Sequence, residues 1–130
     1  MSETENLWGD LPTAEGLRTP VFLLREQAEV FTKAYKGVLT GRVSTTRSGV
    51  DLNHHLQIVA PALGQYTFGI LSVTHGVQIY PAVVINLLTN VSEQTNDEAD
   101  LKVKVGKILS SAQVHKVIGG LLAQSRDARA

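Results

Sequence analysis

Between Thr19 and Gly37 the apolar residues return every three or four positions. Leu24, Ala28, Phe31 and Tyr35 form a stripe, with Leu23 and Val30 beside it. Arg25, Glu26, Glu29, Lys33 and Lys36 occupy the other side, and Glu29 and Lys33 stand at the favourable i, i+4 spacing. Thr19 suits an N-cap, Pro20 the first helical position and Gly37 a left-handed stop, so the pattern predicts a helix.

From Val38 the period changes from about 3.6 to 2. Leu39, Gly41, Val43 and Thr45 alternate with Thr40, Arg42 and Ser44, which predicts a first strand ended by Ser48 and Gly49. Leu52, His54, Leu56, Ile58 and Ala60 line one face of a second strand; Asn53, His55 and Gln57 line the other. Pro61 to Gly64 reads as a turn, Tyr66 to Thr74 as a third and central strand, and His75-Gly76 as a tight turn. Val77 to Leu88 reads as a fourth strand, with Pro81 implying an edge position or a bulge because it donates no hydrogen bond.

Thr89 to Asp100 is polar and acidic and reads as a linker, with Asn96 as cap of a second helix. Residues 101–109 fit two periods. Leu101, Val103 and Val105 alternate as in a strand, whereas Leu101, Val105, Ile108 and Leu109 share a helical face; helix is the reading adopted. Ser110 to Gln113 has the spacing of a capping box. Val114, Val117, Ile118, Leu121 and Leu122 then form the stripe of a last helix, which holds despite Gly119-Gly120. The expected fold is α+β: an N-terminal helix, a four-stranded antiparallel meander and two C-terminal helices packed on one face.

Residues 1–18 show no periodicity and read as an arm, disordered over the first six or so residues, with Trp8 and Leu11 able to dock it onto the body. Residues 19–125 form the single domain, and 126–130 a polar tail. A length of 130 residues suffices for one core. No run approaches the roughly 20 apolar residues of a membrane span. The acidic opening does not resemble a secretory signal. Absence of cysteine removes disulfides and thiol chemistry, and the cytoplasm is the expected compartment.

Zero net charge hides an uneven distribution. Residues 37–90 carry only Arg42, Arg47 and Asp51, residues 91–100 carry four acids, and residues 101–130 carry six bases against Asp127. So few charges in the strands imply a sheet covered by helices or by another protein. The basic last third raises nucleic-acid binding as a minor alternative, although it lacks interleaved aromatics.

Candidate chemistry is sparse. His54 and His55 are adjacent on a strand and point to opposite faces, so the two are not joint ligands of one metal. His54, among Leu52, Leu56 and Ile58, reads as a buried histidine; His55 meets His75 only in some strand registers, where Asp51 would complete a minimal metal or acid–base site. No serine occupies a nucleophile elbow and no glycine-rich phosphate loop occurs. Neither a catalytic set, a metal site nor a cofactor is expected. The function expected is a small non-enzymatic interaction module, of the inhibitor, immunity or antitoxin kind. Its partner is another protein or a second copy, and Ile79, Tyr80 and Leu88 are its contact residues. The alternative is a small-molecule-binding protein or enzyme with His55, His75 and Tyr80 in a sheet–helix pocket.

Overall fold

The computed structural model describes residues 4–14, 16 and 18–129. Helix α1 (Pro20–Ala34) precedes strands β1 (Thr40–Ser48), β2 (Asp51–Ala60), β3 (Tyr66–His75), β4 (Ala82–Asn86) and β5 (Val91–Thr95). A 3-10 turn, Pro61–Leu63, joins β2 to β3, and helices α2 (Glu98–Leu109) and α3 (Ala112–Arg129) follow. The strands form one antiparallel meander in sequence order. Among the described residues no helix is long and apolar enough to cross a membrane.

The α+β class, the leading helix and the two closing helices are as the periodicity predicts; the sheet has five strands rather than four. The fourth strand is also shorter than predicted, and each departure has a local cause. Ile79 takes a left-handed φ of 72° and Pro81 follows it, so residues 76–81 form a detour and β4 begins only at Ala82. The extra strand, β5, lies inside the expected polar linker. It is an edge strand of sequence Val-Ser-Glu-Gln-Thr in which only Thr95 is buried, so no apolar alternation marks it.

Residues 101–109 are helical, and the physical reason stands just upstream. Asp97, not Asn96, is the N-cap: its carboxylate accepts from the Asp100 N–H at 2.8 Å, and Glu98 and Asp100 occupy the first turn, where the helix end is positive. Ser111 rather than Ser110 caps α3, accepting from the Val114 N–H at 3.3 Å. The last helix continues to Arg129, through most of the expected polar tail.

All three helices contribute to one core against a single face of the sheet. Leu24, Leu56, Leu71, Val73, Val84, Leu101, Val105 and Val114 meet there, each at most 5% exposed. Helix α1 lies directly on β1 at Gly41, where a Cβ would sit 2.6 Å from Ala28 Cα. Thr32 locks this crossing: its hydroxyl donates to the Ala28 carbonyl at 2.9 Å and accepts the Gly41 N–H at 2.8 Å.

A β-bulge in β3 aligns that core. Gln57 pairs with Gly69 and Leu56 with Leu71, which leaves Ile70 as the extra residue. Ile70 and Leu71 both enter the core, at 1% and 0% exposure. The face away from the helices carries Ser44, Asn53, His55, Gln57, Ser72 and Thr74, as the registers dictate. Its polar groups bond across strands, Thr74 Oγ1 to Asn53 Oδ1 at 2.6 Å and Arg42 Nε to Gln57 Oε1 at 3.2 Å. Neutral polar residues share this face with Val59 of β2 and with Val83 and Ile85 of β4.

Candidate functional site: a buried histidine pair and an apolar groove

Two features stand out on the helix side of the sheet. The first is a pair of imidazoles. His54 on β2 and His75 at the end of β3 lie diagonally across the strand pair, 3% and 7% exposed, with Nε2 atoms 2.8 Å apart. His54 Nδ1 lies 2.8 Å from Thr45 Oγ1, and His75 Nδ1 lies 2.8 Å from the Gly76 carbonyl oxygen.

The direction of each bond in the neutral pair follows from that last contact. A carbonyl only accepts, so His75 Nδ1 carries a proton and its Nε2 accepts. His54 Nε2 therefore donates, and its Nδ1 accepts from the Thr45 hydroxyl. Every ring nitrogen is satisfied with no net charge. Burial, helped by His75 and by the Arg25 guanidinium, pushes the His54 pKa down from 6.5 to about 4. Enclosed in this way, the pair supports the fold and offers little contact to a substrate.

The expected pocket residues do not converge. His55 lies on the opposite face from His75, opposite Ser72 and Ser44; it is His54 that meets His75. Tyr80 and Leu88 are half-buried and pack against the core, and Ile79 is half-buried beside them in sequence, so no protruding patch joins the three. Among the described residues the buried Tyr80 hydroxyl has no hydrogen-bond partner, and burial, with Glu98 and Asp97 nearby, raises its pKa. Among the described residues no group of three or more His, Asp or Glu side chains is placed to hold a metal ion. The basic residues of the last third are partly paired: Lys104 with Glu93 at 3.7 Å and Lys102 with Glu98 at 4.0 Å. Trp8 and Leu11, expected to dock, are 82% and 61% exposed. Of the first six residues, expected to be disordered, 1–3 lie outside the described residues, as do 15, 17 and 130.

The second feature is a groove of about 250 Å³ between α1 and α3, floored by Leu56, Ile58 and Ile70 of the sheet. Phe31 and Tyr35, whose ring centroids are 4.9 Å apart, form the α1 wall with Val30 and Ala34. Val114, His115 and Ile118 form the α3 wall, and Leu109 closes the end where α2 stops. A second hollow extends it past Tyr35 and Ile118 to Gly119 and Leu122. Val30 is 60% exposed, and Ala34 and His115 are exposed as well, so the groove opens to solvent. Among the described residues neither an acidic nor a lysine or arginine side chain lines it.

The sequence contains a signal for this groove. Both apolar stripes, in α1 and in α3, are wider than the buried set: Val30, Phe31 and Tyr35 in α1, and Ile118 and Leu122 in α3, exceed what the core encloses. Periodicity marks such residues as core-facing without revealing that two helices stand apart. No protein-family model, curated protein or solved structure matches this chain.

Proposed function

We propose that the chain is a protein-interaction module that receives apolar side chains of a partner in the α1–α3 groove. One observation carries the reading: a solvent-open groove without acidic, lysine or arginine side chains, walled chiefly by aromatic and aliphatic groups that the core leaves only partly covered. Apolar surface left open to water favours association with a partner, which supports this reading. Its volume, about 250 Å³, lies below the roughly 300–1,000 Å³ of pockets that engulf drug-sized ligands, which favours one or two inserted side chains over a cofactor. An inhibitor, immunity or antitoxin-type role is the narrower form of this proposal, in which the bound partner loses its own activity.

Site-specific photo-crosslinking tests the reading. A crosslinking residue at Ala34, on the groove rim, is expected to capture a discrete partner. The same residue at Thr46, on the sheet face away from the helices, is expected to capture none. Equal capture at both positions, or none at Ala34, counts against the groove.

A further inference from the structure

We infer that the occupant of the groove is the Leu7–Trp8 turn of a second copy, exchanged reciprocally to make a homodimer; this rests on the groove being a binding site. The turn is built to present its side chains. Asn6 Oδ1 accepts the Trp8 N–H at 2.9 Å, Asn6 Nδ2 donates to the Gly9 carbonyl at 3.2 Å, and Gly9 takes the left-handed φ of 73° that closes the loop. Leu7 and Trp8 are thereby held out together, 85% and 82% exposed. A preformed turn loses less conformational freedom on docking than a free segment would, which favours binding through it. An indole beside a leucine also suits a groove of this volume walled by Phe31, Tyr35 and Ile118.

Charge supports the same match. The arm carries Glu3, Glu5, Asp10 and Glu15 before its first base, Arg18. On the α3 wall Lys116 follows His115 at the groove, and α3 carries no acid before Asp127. Opposite charge around an apolar centre steers association and fixes orientation.

The root of the arm favours a second copy over its own groove. Arg18 contacts Glu26 of α1 and Glu98 of α2, both at 3.7 Å, and its guanidinium lies 5.7 Å from the centre of the Phe22 ring. This fastens the arm at the start of α1, beside the start of α2. The groove uses the second half of α1, from Gln27 to Tyr35, and the end of α2. Entry into its own groove requires the arm to reverse past this anchor; entry into a neighbour's does not. Reciprocal exchange also closes as a two-fold assembly and leaves no groove unfilled.

Trp8 is the only tryptophan in the chain, so its emission reports the arm directly. Fluorescence and light scattering on the full chain, over a dilution series, are expected to move together. The emission shifts to the blue as the mass doubles from 14.1 kDa, and Ala34→Glu abolishes both changes while leaving the circular dichroism intact. Leu7→Asp, outside the folded body, is expected to abolish dimerisation in the same way and serves if the groove variant fails to fold. A water-exposed emission at every concentration overturns the exchange, as does a blue shift with no change in mass, which places the arm in its own groove. Ala34 crosslinking separates the two proposals: partner capture with a wet Trp8 leaves the groove reading standing and the exchange refuted.

Discussion

Acid should weaken this protein through one side chain. His54 is neutral in the fold, with its pKa pushed down to about 4, and regains the ordinary value of 6.5 when the chain unfolds. Because the unfolded state binds the proton more tightly, the stabilisation is complete above pH 6.5 and is lost as the pH falls from 6.5 towards 4. The same two values give a loss of about 2 kcal/mol between pH 8 and pH 5, with uptake on unfolding approaching one proton near the middle of the window. That is a large part of the ~5–15 kcal/mol that holds a domain of this size together. Urea unfolding followed by circular dichroism at half-unit pH steps measures it. His54→Leu removes the titrating ring and leaves His75 Nε2 without its donor, at a cost of about 1–3 kcal/mol at pH 8. Its stability should then fall less steeply, so that the two curves approach each other near pH 5. Curves that stay parallel from pH 8 to pH 5 refute the assignment of the acid sensitivity to this ring.

Three further outcomes are expected from the same unfolding assay. Gly41→Ala drives a methyl group against the Ala28 backbone and should cost about 1–3 kcal/mol or more, because helix and strand must separate to admit it. Asp97→Ala removes the α2 cap and should cost about 1 kcal/mol, with a matching loss of helical signal if the last two helices fray together. Tyr80→Phe deletes a buried hydroxyl with no partner among the described residues, so it should be neutral or stabilise by up to about 1–2 kcal/mol; a clear loss would show that the hydroxyl is bonded.

The parts of the fold legible in the sequence are those whose burial is one-sided. Alternation along Leu39–Thr45 and Leu52–Ala60 announces β1 and β2 because one face meets the helices and the other carries mostly polar, partly exposed side chains. The β5 strand escapes notice for the converse reason: it is an edge, wet over nearly its whole length, and is held to β4 by backbone pairing that side-chain polarity does not record. The histidine site was missed through register. Counted back from the 3-10 turn, the Gln57–Gly69 pairing extrapolates to place His75 opposite Asp51, on the face of His55. Insertion of Ile70 reverses that parity, so His75 pairs with Leu52 and shares a face with His54. A bulge of one residue thus decided which histidine became a neighbour. The groove was half legible: the residues of both walls are marked by their spacing, but the separation of the walls is a tertiary fact.

The crossing at Gly41 has a mechanical consequence. Helix α1 is clamped to the sheet by backbone contact and by Thr32, leaving that wall no room to move. Helix α3 rests chiefly on the Pro61–Leu63 turn and on α2, and carries Gly119 and Gly120 along its length. The groove therefore behaves as a jaw with one fixed and one yielding side. Occupancy should register as slowed amide exchange along α3, while α1, already immobilised, hardly changes.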